Sequence, residues 1–198
     1  MTNTIFYRLI RGEVMEFINK NPKIYIFAGK ARSGKDTSAD FIKKYYENNG
    51  KSVAILQYST YLKEYAKKIT NWSGSDQDKP RQLLIELGTD LIRGKIDKYL
   101  FVNRMIEDII VMSYFFDVIV ISDARLIEEL EIPREKLENV KIINIKRPNF
   151  DNGLTKEQQK SLTESSLDNY TNYDYSIIND GTLENLNEKI IKMLKEMN

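Results

Sequence analysis

The sequence contains neither cysteine nor histidine. Without cysteine there are no disulfides, no thiolate nucleophile and no thiolate metal site. Without histidine the commonest general base and zinc ligand are missing too, so triads built on His or Cys are excluded. An excess of either charge is also lacking: 30 Lys and Arg stand against 29 Asp and Glu, a formal net charge of +1. Nothing global favours a nucleic-acid polymer or a membrane surface, so any attraction for phosphate must be local. No stretch approaches the roughly 18 uncharged apolar residues that a membrane span needs. The opening "MTNTIFYRLIRGEVMEFINKNPK" mixes Arg, Glu and Lys among its apolar residues. It lacks the unbroken apolar core and small-residue cleavage site of a secretory signal, and a cytoplasmic location is expected.

What is present suits one domain: 198 residues, 41% hydrophobic for a core and 30% charged for solubility. In the first twenty residues Ile5, Leu9, Ile10, Val14, Phe17 and Ile18 recur at helical spacing. They predict an amino-terminal helical extension over 1–22, whose apolar face can pack on the core or on a second subunit. Residues 23–198 read as one unit. Its short apolar runs "KIYIFA" (23–28), "SVAILQ" (52–57), "VIVIS" (118–122), "VKIINIK" (140–146) and "YSII" (175–178) are strand candidates. Between them lie helix-period segments, among them "KDTSADFIKKYYENNG", "TYLKEYAKKI", "PRQLLIELGTDLIRG" and "DKYLFVNRMIEDIIVMSYFF", and "TLENLNEKIIKMLKEM" closes the chain behind Thr182. This alternation predicts a three-layer α/β domain, with a mostly parallel five-stranded sheet and helices on both faces. A polar loop over about 147–174 interrupts it. A loop that long is usually functional or disordered, and it reads as a mobile excursion.

Between the first strand and the helix that follows stands "FAGKARSGKDT" (27–37). Gly29, Gly34 and Lys35 keep the spacing of a phosphate-binding loop, but Asp36 stands where Ser or Thr usually helps to hold magnesium, and Thr37 follows one position late. The glycines allow backbone conformations that turn successive N–H groups inward, and these donors with the helix's positive end cradle an anion. Lys35 can reach two phosphates, with Lys30 and Arg32 at the rim. A carboxylate there is repelled by phosphate unless a cation intervenes. Asp36 can therefore hold magnesium while Thr37 contacts a phosphate, or accept a proton, or merely favour the helix dipole. Asp123 follows a buried strand directly, where ligands sit in open parallel sheets, and Arg125 can pair with a phosphate. Both can equally serve strand-end salt bridges, and Lys63, Arg81 and Arg93 can be surface ion pairs. Asn179, Asp180 and Gly181 are also ordinary turn chemistry.

The loop "GKARSGKDTSADFI" resembles that of the deoxynucleoside monophosphate kinases of the phage and bacterial type, for which Ser-Gly-Lys-Asp-Thr is the family's own form. Further stretches resemble the same family in the same order: "RQLLIELGTDLIRGKIDKYLFVNRM", "VIVISDARLIEELE", "IINIKRP" and "YSIINDGTLENL". "LTESSL" matches a Thr-Glu element, although the His often found beside it is absent. The resemblance implies a P-loop kinase fold with a lid, and transfer of the γ-phosphoryl group of ATP, with magnesium, to a (deoxy)nucleoside 5′-monophosphate. It implies catalytic roles for Lys35, Asp36, Arg125 and Arg147, and ATP contacts at Gly29, Arg32, Ser33, Gly34, Lys35 and Thr37. Asn179, Asp180 and Gly181 would lie along the adenine. The acceptor would meet Lys63, Arg81, Thr89, Asp90, Arg93 and Asp123, and magnesium would meet Asp36 and Thr37. Arg147, with Lys156 and Lys160, is a sparse set of cations for a lid. The amino-terminal segment has no counterpart in the family pattern. Two rivals stand beside this reading: a phosphomevalonate-type kinase, which shares Ser-Gly-Lys-Asp, and a nucleotide-binding switch that hydrolyses ATP slowly and signals through a partner.

Overall fold

The computed structural model describes residues 6–10 and 13–197. Its amino terminus corrects the expected helix. β1 (Phe6–Ile10) and β2 (Glu13–Phe17) pair antiparallel, with Ile10 opposite Glu13. The helical spacing was shared with a segment rich in β-branched and aromatic residues. Residues 1–5, 11 and 12 lie outside the described residues. The Phe17 ring packs edge-on to Phe115, centroids 5.9 Å apart.

The five expected strands are all present: β3 (Lys23–Ala28), β4 (Val53–Leu56), β5 (Val118–Ala124), β6 (Val140–Lys146) and β7 (Tyr175–Ile178). They form one sheet in the order β4-β5-β3-β6-β7, and every pairing is parallel. Because both faces are covered, the central strands are continuous apolar runs rather than alternating ones. The period of two then divides them between two cores. Ile24, Ile26, Ile119 and Ile121 pack with Phe101, Met105 and Ile109 of α4 (Leu100–Met112). Tyr25, Phe27, Val118 and Val120 pack on the other face, with Ala39 and Ile42 of α1 (Lys35–Asn48) and Leu186, Ile190 and Met193 of α8 (Leu183–Glu196). Thr182 starts α8 with a capping box, its hydroxyl accepting from the Asn185 N–H.

The chain leaves β3 toward β5 and β4 on one side and toward β6 and β7 on the other. The crevice at the carboxyl end of β3 is therefore the topological switch point, where open α/β sheets hold ligands. The phosphate loop follows β3, Asp123 and Arg125 close or follow β5, Arg147 follows β6, and Asn179 follows β7. Candidates scattered over the sequence thus meet at one edge.

Three segments around this edge were not expected in their observed form. Behind α2 (Ser59–Ile69), α3 (Arg81–Ile85) runs into a π-helical stretch, Glu86–Ile96, closed by the Asp97 N–H on the Ile92 carbonyl at 2.9 Å. Such wide turns are rare and concentrate at functional sites. α5 (Glu128–Lys136) carries Pro133 in its interior. Pro133 cannot donate to the Glu129 carbonyl, which instead accepts from the buried Tyr58 hydroxyl at 2.9 Å. Tyr58→Phe is expected to leave that carbonyl unpaired and cost about 1–3 kcal/mol, read by urea unfolding. Finally, the long loop is not a free excursion. It contains α6 (Lys156–Gln159) and α7 (Leu162–Ser165). Its far end is pinned by Asp174, which accepts from Arg134 at 2.5 Å and from the Ile142 N–H at 2.8 Å.

Candidate active site

The loop after β3 is wound tightly. Gly29 has φ 147°, and a Cβ there would lie 2.4 Å from the Ile145 carbonyl oxygen, so only glycine lets the loop pass β6. Gly34 has φ 106°, and Arg32 adopts the left-handed region at φ 57°. Lys35, 5% exposed, folds back beneath the loop and donates to the Gly29 and Lys30 carbonyls, each at 2.7 Å. Burial, and after it the Arg125 charge, pushes its ammonium down to about 8. The loop's underside is held by Asn179, whose amide donates to the Ser33 carbonyl at 2.9 Å. The Ser33 hydroxyl is buried without a partner among the described residues.

Asp36 is exposed, and its Oδ1 accepts from the Ser122 hydroxyl at 2.7 Å and from the Gln57 amide at 2.9 Å. The ends of two adjacent strands, β4 and β5, therefore hold one carboxylate in place. Thr37 is half-buried beside it. Asp123 is otherwise engaged: its two oxygens accept the N–H groups of Tyr58 at 2.8 Å and Ser59 at 2.9 Å, fastening the start of α2 to β5.

Arg125 is gripped twice. Its own N–H donates to Glu129 Oε2 at 2.8 Å, and its guanidinium donates to Glu164 of α7. The other oxygen of Glu164 accepts the Ala31 N–H of the loop at 3.1 Å. Glu129, 3% exposed, also accepts from Arg93 at 2.9 Å. Burial raises its carboxyl to about 7, against the pull of Arg93 and the backbone donors. Arg93 is thus used internally: it also donates to the Gly88 carbonyl at 3.2 Å and lies 4.9 Å from the centroid of the Phe101 ring. Arg81 and Asp90 are exposed and Lys63 and Thr89 half-buried. Lys63 and Arg81, after Lys79, both favour the ionised form of Asp76. Lys63 lies on α2 and Arg81 opens α3.

On the β6 side, a cavity of about 480 Å³ opens between the loop at Lys30 and Ala31, the strand end at Asn144 and Arg147, and the rings of Tyr170 and Tyr173. Its volume falls in the range of small-molecule pockets. Arg147 lies 3.6 Å from the centroid of the Phe150 ring and donates to the Arg32 carbonyl at 3.4 Å. Asp180 is exposed and paired with Lys189 at 2.6 Å, and Gly181 abuts Asn185 of the α8 cap. The phosphate loop therefore has an acidic and arginine-bearing flank toward β4 and β5, and a roomy, ring-lined flank toward β6 and β7.

A family model described as deoxynucleotide monophosphate kinase matches residues 43–190, most of the chain. This chain belongs to that family. The matched range begins after the phosphate loop, so the loop is independent support for a kinase. Solved structures agree on the fold. The kinase is similar to the Mycobacterium tuberculosis APS kinase CysC in complex with AMPPNP and APS, at 14% identity and a TM-score of 0.56, covering 88% of this chain and 98% of that one. It is similar to a sugar kinase from Janibacter sp. HTCC2649, at 14% identity and a TM-score of 0.56, covering 88% and 95%. It is also similar to TT1252 from Thermus thermophilus, at 15% identity and a TM-score of 0.54, covering 90% and 99%. No curated protein matches.

Residues that the sequence does not mark hold the candidate site residues in place. Gln57, Ser122 and Glu129 carry no local motif; their partners lie between 21 and 86 positions away for Asp36 and 36 for Arg93. Glu164 had a signal, the Thr-Glu element of "LTESSL", but nothing in the sequence pointed it at Arg125.

Proposed function

We propose that this kinase moves the γ-phosphoryl group of ATP, with magnesium, onto the 5′-phosphate of a deoxynucleoside monophosphate. The observation that carries the reading is the convergence of Lys35, Asp36 and Arg125 on the carboxyl ends of β3 and β5, with an open flank on each side. The Arg125 and Asp36 charges act on the Lys35 ammonium in opposite directions, after its burial.

The donor's phosphates would lie on the loop amides. Lys35 would exchange two neutral carbonyl partners for charged phosphate oxygens, a stronger acceptor. Adenosine would extend over the β6 and β7 flank, between Arg147 and Asn179–Gly181. The acceptor would enter on the β4 and β5 flank, beside Arg125 at the end of β5. The donor set suits magnesium: one exposed carboxylate on Asp36, with the hydroxyls of Ser122 and Thr37 near it, all hard oxygens. Among the described residues no group of three or more His, Cys, Asp or Glu is placed to hold a metal ion. When bound, magnesium would neutralise charge on the donor's terminal phosphates.

No histidine is needed. A monophosphate oxygen has its second pKa near about 6, so at neutral pH the nucleophile is already ionised. The site's work is alignment and charge, which its residues supply. Among the described residues no helix is long and apolar enough to cross a membrane. We place the enzyme in the cytoplasm, and the amino-terminal hairpin, with Ile18 and Phe115 exposed beside it, offers a face for a homodimer.

The test is coupled ADP release across deoxynucleoside and nucleoside monophosphates and phosphomevalonate. Stimulation by one or more deoxynucleotides is expected. Stimulation by phosphomevalonate alone would reassign the acceptor.

A further inference from the structure

The lid of this kinase poses a problem for its own mechanism. Its basic residues stay at the surface: Lys156 and Lys160 are exposed, and Arg147 is spent on Phe150 and Arg32. What the lid sends into the crevice is an acid. Glu164 lies on the four-residue helix α7, and its side chain is only 4% exposed. One oxygen is paired with the Arg125 guanidinium, and the other accepts the Ala31 N–H at 3.1 Å. Arg125 keeps 31% of its side chain exposed. A buried carboxylate therefore fixes a cation that is itself only partly covered.

We infer that Glu164 is the positioning residue through which the lid acts. Its carboxylate ties the rim of the phosphate loop to the guanidinium of Arg125, so that seating of α7 sets Arg125 for transfer. The inference rests on the proposed phosphoryl transfer and on Arg125 as its cation. Three features support it. A guanidinium has donors enough to keep Glu164 and still meet a phosphate on its free edge. The Ala31 N–H lies at the loop's rim, so holding it leaves the deeper amides of Gly34, Lys35 and Asp36 for the donor. A cation left to rotate would lose the alignment on which transfer depends, and misplacement of about 1 Å can cost about 100-fold. A salt bridge at this depth also needs its geometry, because removing one partner leaves the other charge unpaired.

The experiment is a double-mutant cycle on the full chain, with kcat, acceptor KM and ATP Kd measured for wild type, Glu164→Gln, Arg125→Ala and the double variant. Glu164→Gln is expected to lower kcat by about 10- to 100-fold, leave ATP Kd within about threefold, and add no further loss in the Arg125→Ala background. Glu164→Asp, which keeps the charge on a shorter arm, is expected to fall between Gln and wild type. A folding defect alone would lower both backgrounds equally, so additive losses would overturn the inference. A tighter ATP Kd without loss of kcat would overturn it as well, because Glu164 would then be competing with phosphate. If Arg125→Ala itself leaves turnover unchanged, the assignment of Arg125 fails instead, and the two failures stay distinct.

Discussion

Lys35→Ala is expected to lower phosphoryl transfer by about 100- to 1,000-fold, the scale set by losing one charged donor to a transition state. The protein should still fold. Lys35 is a buried ammonium that burial and Arg125 hold down to about 8, so its charge is a cost to the empty site. Its two carbonyl partners lie on the loop itself, at Gly29 and Lys30, and join no distant elements. The same shift gives a pH signature. Phosphate binding favours the protonated lysine and raises its pKa, so ATP binding takes up a proton near pH 8–9. Affinity should be flat below that window and fall as pH climbs through it. Calorimetry in buffers of different ionisation enthalpy reads the uptake directly, and its absence in Lys35→Ala assigns it. Near-normal turnover in a folded Lys35→Ala protein would remove Lys35 from the reaction.

Arg125→Ala is the second large effect: turnover should fall by about 100-fold while ATP affinity changes little. The reason is position. Arg125 follows β5 and is not among the residues that line the cavity at β6, although its partner Glu164 is, and its backbone is pinned by Glu129 independently of its side chain. Removing the guanidinium leaves the turn in place but strips a cation from between the loop and the acceptor flank. It also leaves Glu164 buried without its partner, so α7 should loosen, and limited proteolysis across 147–174 should quicken. An equal loss of ATP affinity by calorimetry would assign Arg125 to the donor side.

How far the sequence disclosed this enzyme depends on the range of the interactions involved. Strand β3 and the loop behind it are legible because the signals are local: an apolar run, two glycines at fixed spacing, a lysine and a helix start. The same holds for α8, whose Thr182 cap lies three residues from its partner. The hairpin at the amino terminus is not legible because the six apolar positions between Ile5 and Ile18 recur at helical spacing although the segment is rich in β-branched and aromatic residues. α5 was missed because Pro133 argues against a helix, and the hydroxyl that compensates comes from Tyr58, 71 positions from Glu129. Arg93 illustrates the limit for the site. Its motif suggests a phosphate ligand, yet the π-helical turn directs it to Glu129 and Phe101. Glu164 reaches across 133 positions to Ala31, a pairing visible only once the sheet brings the β3 loop and the lid together.

The central claim is that the crevice at β3 passes a phosphoryl group to a second nucleotide rather than to water. Phosphorus NMR of the purified chain with ATP, magnesium and a deoxynucleoside monophosphate observes that step. The account predicts paired growth of ADP and a deoxynucleoside diphosphate, with the acceptor's monophosphate signal falling in step. Inorganic phosphate growing with ADP, at a rate indifferent to the acceptor, would contradict it and leave a nucleotide-hydrolysing switch.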